Sequence, residues 1–151
     1  MMTSRTSSGL RELENLYKLL PYFTRSGFTP FLPEFDSGID FIACRESAAG
    51  EGDVLIKVQL KGRWTIDKKY RGRSMAIAFP DEQDWYVIPH GEMVAFAEQA
   101  GFTNTKSWDQ GTYSVGRLGS TLRQHSERWR LCYDNPTNNE AVWQGLAQGQ
   151  S

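Results

Sequence analysis

Three features of the sequence predict an α/β fold built on a central mixed sheet of about five strands flanked by helices. Short apolar runs at residues 39–45, 54–60, 74–79 and 85–88 have the length and residue types of strands. Residues 10–20 and 92–100 carry apolar side chains at helical spacing, and glycine, proline or small-residue turns separate these segments. A chain of 151 residues with 39% hydrophobic and 23% charged side chains is long enough to bury a core without a disulfide or metal staple. The expected organisation is one domain over residues 1–135 and a loose, Gln/Gly-rich tail over residues 136–151.

Taken in order, Ser7 and Ser8 precede Leu10, Leu13, Leu16, Tyr17 and Leu20, with Glu12 and Glu14 in the early turns where acids suit the helix dipole. Pro21 is expected to end or kink this helix, with one further turn to Arg25. Residues 28–33, with two prolines, suit an edge strand. A strand over 39–45, a small-residue turn over 48–53 and a strand over 54–60 read as a hairpin. Residues 64–70 alternate poorly and are expected to form a ribbon extending from the body, whereas 74–79 and 85–88 read as core strands. The helix over 92–100 should stop at Gly101; a last helix is expected over 118–129, with 131–133 returning to the sheet.

Net charge is −1, so any attraction to nucleic acid has to come from local segregation of charge. Such segregation exists: Lys57, Lys61, Arg63, Lys68, Lys69, Arg71 and Arg73 face the single acid Asp67 within residues 57–73. Arg63, Lys68, Lys69, Arg71 and Arg73, interleaved with Trp64 and Tyr70, are therefore the candidate phosphate-backbone contacts. Cys44 and Cys132 lack neighbouring ligands at metal-site spacing and read as reduced core thiols. No apolar run approaches the ~20 residues that span a bilayer, and residues 1–8 lack the order of a signal peptide, so a cytoplasmic address and no membrane partner are expected.

Strand alternation puts Val54, Ile56, Val58 and Leu60 on one face and Lys57, Gln59 and Lys61 on the other. On the preceding strand Ile39, Phe41 and Ala43 share one side, Asp40 and Ile42 the other. If Asp40 shares the face of Gln59 and Lys61, a carboxylate, an amide oxygen and an ammonium converge. Asp40, Gln59 and the Leu60 carbonyl then supply hard oxygens for Mg²⁺, with Mn²⁺ as a substitute, and Lys61 stands where it can orient a water or balance developing charge. Asp36 belongs to a turn and is the poorer ligand; His90, between a strand and a helix, reads as structural.

These residues resemble the PD-(D/E)XK nuclease superfamily, in which an Asp at a strand start is followed by an acid-x-Lys triplet on the next strand. The matching segments are Gly38-Ile39-Asp40-Phe41-Ile42-Ala43 and Lys57-Val58-Gln59-Leu60-Lys61, and the element order agrees over the first hundred or so residues. The Gln-x-Lys variant is similar to the branch containing bacterial group I intron homing endonucleases. The resemblance implies a restriction-endonuclease-like core, Mg²⁺-dependent hydrolysis of DNA phosphodiesters, duplex DNA as substrate, and a homodimer or homotetramer that presents a site to each strand. Ile39 stands in place of the Pro, and Gln59 in place of the usual acid, so one negative charge is missing. The family often adds a Glu from the first helix; Glu12 and Glu14 both qualify, with Glu12 preferred. The alternatives are a nuclease-fold module that binds DNA or regulates with weak or no catalysis, and a protein-interaction domain without salt-dependent DNA binding.

Overall fold

A computed structural model describes residues 4–35, 37–46 and 52–149, with side chains described between residues 9 and 147 of that range. The chain opens with helix α1 (Ser4–Thr24), then strands β1 (Thr29–Phe31), β2 (Phe41–Arg45), β3 (Val54–Leu60) and β4 (Trp64–Asp67). Strands β5 (Ala76–Asp81) and β6 (Asp84–Pro89) lead directly into helix α2 (His90–Ala100). Helix α3 (Lys106–Asp109), strand β7 (Thr112–Val115), helix α4 (Ser120–Ser126) and helix α5 (Glu140–Gly149) complete it. The main sheet has five strands in the order β1-β2-β3-β5-β6, and β4 pairs with β7 in a separate two-stranded sheet. All pairings in the main sheet are antiparallel except β3 with β5, so the sheet is mixed, as expected.

Alternation in β2 and β3 behaves as the sequence requires. Phe41, Ala43, Ile56 and Val58 are buried, and Phe41 lies opposite Val58 in register. Helices α1 and α5 cover this face: the ring of Phe23 packs 5.1 Å from Phe41 and 4.7 Å from Trp143. Strand β5 is buried at four consecutive positions, Ala76 to Phe79, as befits a strand covered on both faces. Helix α1 runs through Pro21, which lies close enough to the end that it removes one bond, to the carbonyl of Tyr17, without breaking the helix. Gly101 closes α2 in the left-handed conformation, its N–H donating to the carbonyls of Ala97 and Glu98.

Four expectations need correction. Residues 64–70 do not extend from the body: Trp64, Thr65, Ile66 and Asp67 are all buried, paired with β7, and Lys68–Tyr70 forms a 3-10 turn. Asp67 starts that turn by accepting the Lys69 N–H, and the Lys68 N–H donates to the Gly111 carbonyl at 2.7 Å, which pins the turn to the α3–β7 connection. The last part of the chain is not a loose tail through residue 149, because Val142, Trp143 and Leu146 of α5 are buried in the core and Glu140 forms a bidentate pair with Arg45 of β2. Residues 118–129 yield the shorter α4 followed by a 3-10 turn at Glu127–Trp129, and residues 131–133 contribute a single Leu131 N–H bond to the Trp85 carbonyl rather than a strand. Asp36 and residues 47–51 of the β2–β3 connection lie outside the described residues.

Candidate functional site

The site is built where β2 begins and β3 ends. Gly38 has φ +81°, a conformation glycine adopts without strain, and it turns the chain into β2 against the ring of Tyr70. Asp40 follows. Its N–H donates to the Val58 carbonyl at 2.8 Å, and its Oδ2 accepts the Leu60 N–H at 2.6 Å, so the two bonds bracket Gln59. On the other side of β3, the Lys61 N–H donates to the Ala78 carbonyl of β5 at 2.9 Å. The end of β3 is thus held from both flanks, by a side-chain carboxylate on one and a strand on the other.

Asp40, Gln59 and Leu60 line a cavity of about 480 Å³ together with Glu12, Leu13, Leu16 and residues 32–35. Glu12 contributes to this wall and Glu14 does not. The Oε1 of Gln59 is buried without a hydrogen-bond partner, while its Nε2 donates to its neighbour's carbonyl, Leu60 O, at 3.4 Å. An unpartnered buried acceptor is costly and suits a position that receives a donor or a cation. The available donors are all oxygens, which is the set a hard divalent cation takes. Among the described residues no group of three or more His, Cys, Asp or Glu is placed to hold a metal, so a cation here depends on the Gln59 amide, the Leu60 carbonyl and water beside the Asp40 carboxylate.

Gln59 also walls a second cavity of about 400 Å³, lined by Ser37, Gly38, Lys61, Lys69, Tyr70 and Arg73. The buried Tyr70 ring is its organising element. Around its centroid stand Lys69 Nζ at 5.1 Å, the Arg73 guanidinium at 5.6 Å and Lys61 Nζ at 5.9 Å. Behind the ring, edge-on at 5.9 Å, lies His90, whose Nε2 accepts the Asp67 N–H at 3.1 Å. Burial drives the His90 pKa down to about 4; nearby Asp67 acts in the opposite sense and Lys61 in the same one. A neutral imidazole is what the accepting Nε2 needs, so His90 has a structural role, linking α2 to β4.

No family model, curated protein or solved structure matches the chain. Of the sequence-predicted residues, the structure gathers Asp40, Gln59, Leu60 and Glu12 at one cavity, and Gln59, Lys61, Lys69 and Arg73 at its neighbour. The remaining basic candidates lie elsewhere in their contacts: Lys68 stands over the Trp108 ring at 5.7 Å, Arg71 pairs with Glu98 at 3.2 Å, and Arg63 is exposed near Gly116. The five do not form one phosphate-tracking ribbon. Neither the Tyr70 platform nor the Asp67 turn cap is apparent from the sequence alone, although an Asp two residues before the capped N–H is a recognisable turn signal.

Proposed function

We propose that the chain is a Mg²⁺-dependent endonuclease that hydrolyses phosphodiester bonds of duplex DNA, a PD-(D/E)XK-like enzyme of the Gln-x-Lys type. The observation that carries this reading is the shared cavity of Asp40, Gln59 and Glu12, joined through Gln59 to the cavity of Lys61. When bound, Mg²⁺, or Mn²⁺ in its place, would supply Lewis acidity at the phosphoryl group. Asp40, the Gln59 Oε1 and the Leu60 carbonyl are the groups to hold it, and Glu12 restores the negative charge that Gln59 lacks. Lys61 orients the attacking water and offsets charge on the phosphoryl oxygens. The water oxygen bonds to phosphorus, the bond to one sugar oxygen breaks, and a proton passes to that oxygen, leaving a hydroxyl end and a phosphate-monoester end.

Exposed Leu13, Leu32 and Phe35 at the rim of the first cavity favour contact with a second copy of the chain, and a homodimer or homotetramer would offer one site per DNA strand. No helix among the described residues is long and apolar enough to cross a membrane; a cytoplasmic place of action is part of the proposal. A second reading, a DNA-binding module without catalysis, is favoured by the Asp40 Oδ2 bond to the Leu60 N–H and by the missing acid at Gln59. A plasmid-nicking assay with and without Mg²⁺ separates the two. The nuclease nicks in Mg²⁺ and Asp40→Ala abolishes it; the binding module retains plasmid without nicking it under any condition.

A further inference from the structure

The Tyr70 cavity concentrates positive charge in a way that helix and strand packing alone does not require. Lys61, Lys69 and Arg73 come from three separate stretches of chain, the end of β3, the 3-10 turn and the segment after it, yet all approach one ring. Like charges gathered in this way repel, and cation–π contact at a partly exposed site returns only a modest part of that cost. Among the described residues Lys69 has an acidic neighbour, the buried Asp67 at 3.8 Å, while Lys61 and Arg73 are in no salt bridge. That Asp67 carboxylate is already engaged in capping the turn. Ser37, Gly38 and Gln59 add hydroxyl, backbone and amide groups to the wall.

We propose that this cavity is a receptor for a phosphate monoester at the end of a nucleic-acid strand. A phosphodiester carries a single negative charge, whereas a monoester carries close to two near pH 7 and presents three acceptor oxygens. Three cations, with no acid among the described residues of the wall, match the dianion better. Arg73 offers the planar fork for two of its oxygens, and Lys61 and Lys69 act as point charges on the third. The position fits the chemistry next door: hydrolysis of a diester creates a monoester end, and Gln59 is the wall shared with the proposed hydrolytic cavity. The anion chemistry stands on the cation cluster itself; the assignment to a strand end rests on the nuclease reading.

The test measures binding in EDTA, so that no cleavage intervenes. One oligonucleotide sequence is prepared with a 5′-phosphate, with a 3′-phosphate and with hydroxyl ends, and its affinity is read by fluorescence anisotropy at fixed ionic strength. At least one phosphorylated form is expected to bind roughly tenfold more tightly than the hydroxyl form, the effect of one added charge-assisted hydrogen bond or more. Arg73→Gln and Lys69→Gln, both at exposed positions, should erase that preference, the phosphorylated form losing more affinity than the hydroxyl form, while thermal melting is unchanged. Inorganic phosphate, against a chloride control of equal ionic strength, is the second arm. Competition by phosphate without any end preference rejects the strand end as the source and leaves a small phosphate compound as ligand. Equal affinity for every end together with no phosphate competition overturns the site. A protein that shows the end preference but never nicks DNA in Mg²⁺ contradicts the hydrolytic reading and not this one.

Discussion

The carboxylate of Asp40 accepts the backbone N–H of Leu60 at 2.6 Å, and this single bond gives Asp40 a structural duty alongside its proposed chemical one. The two are separable. Asp40→Asn keeps an acceptor oxygen for Leu60 but removes the charge, so stability should hold within about 0.5 kcal/mol while Mg²⁺-dependent cleavage is lost. Asp40→Ala orphans the Leu60 N–H and should cost about 1–3 kcal/mol in addition. Urea denaturation of the two variants beside nicking assays checks the distinction; equal destabilisation by both would show that the charge, not the acceptor, holds the strand end.

His90 predicts an acid limb in the stability profile. Its folded pKa of about 4 lies below the ordinary 6.5, so the unfolded chain binds the proton more readily. The stabilising contribution is complete above pH 6.5, declines as pH falls, and is gone below the folded value of about 4. The shift corresponds to about 3 kcal/mol across that window. Chemical denaturation at pH 7, 5.5 and 4 measures it, and His90→Gln should flatten that part of the curve. An identical pH slope in the variant would assign the acid limb to other groups.

Gly38 should not tolerate a side chain. Its φ of +81° disfavours any L residue, and a Cβ there would stand 3.1 Å from Tyr70 Cε1. Gly38→Ala is expected to cost about 1–2 kcal/mol and to shift the Tyr70 ring on which the cations rest. Thermal melting and near-UV circular dichroism report the two effects, and a variant as stable as the parent would place the turn in another conformation.

Helix α5 belongs to the core, and two substitutions test it. Trp143 is buried against Phe23 and Phe28, so Trp143→Ala should cost about 3–5 kcal/mol. Gly145 is the more telling site, because alanine ordinarily favours a helix, yet a Cβ here would meet the Trp129 ring at 2.8 Å. Gly145→Ala should destabilise by about 1–3 kcal/mol through overpacking. A stabilised Gly145→Ala protein would mean that α5 does not pack on Trp129.

How much of this was legible follows from how local each signal is. Strand β3 was readable from Val54 to Leu60 because its alternation is a property of those seven residues, whereas the placement of Asp40 beside Gln59 follows from the register of Phe41 opposite Val58, which alternation leaves open. Gly101 announced the end of α2 by its own backbone freedom. Strand β4 was not readable, since Trp64 to Asp67 is buried through pairing with β7, nearly fifty residues further along the chain. The Gln- and Gly-rich composition of the C-terminal segment hid an apolar stripe, Val142, Trp143 and Leu146, whose helical spacing was present. The Tyr70 cation cluster was invisible for a third reason: the 3-10 turn at Lys68–Tyr70 sets Lys69 and Arg73 beside Lys61, and a straight ribbon would not.

The most direct test of the central claim is the rate of supercoiled-plasmid nicking in Mg²⁺ by the parent and by Lys61→Ala. Lys61 contributes its side chain to the cavity wall, and its strand is held through its backbone bond to Ala78, so the variant should melt with the parent. If Lys61 supports hydrolysis at a site formed with Asp40 and Gln59, nicking should fall by about a hundredfold or more, as when one transition-state donor is removed. Nicking at the parental rate by a fully folded Lys61→Ala protein, or nicking by the parent that persists in EDTA, would contradict it.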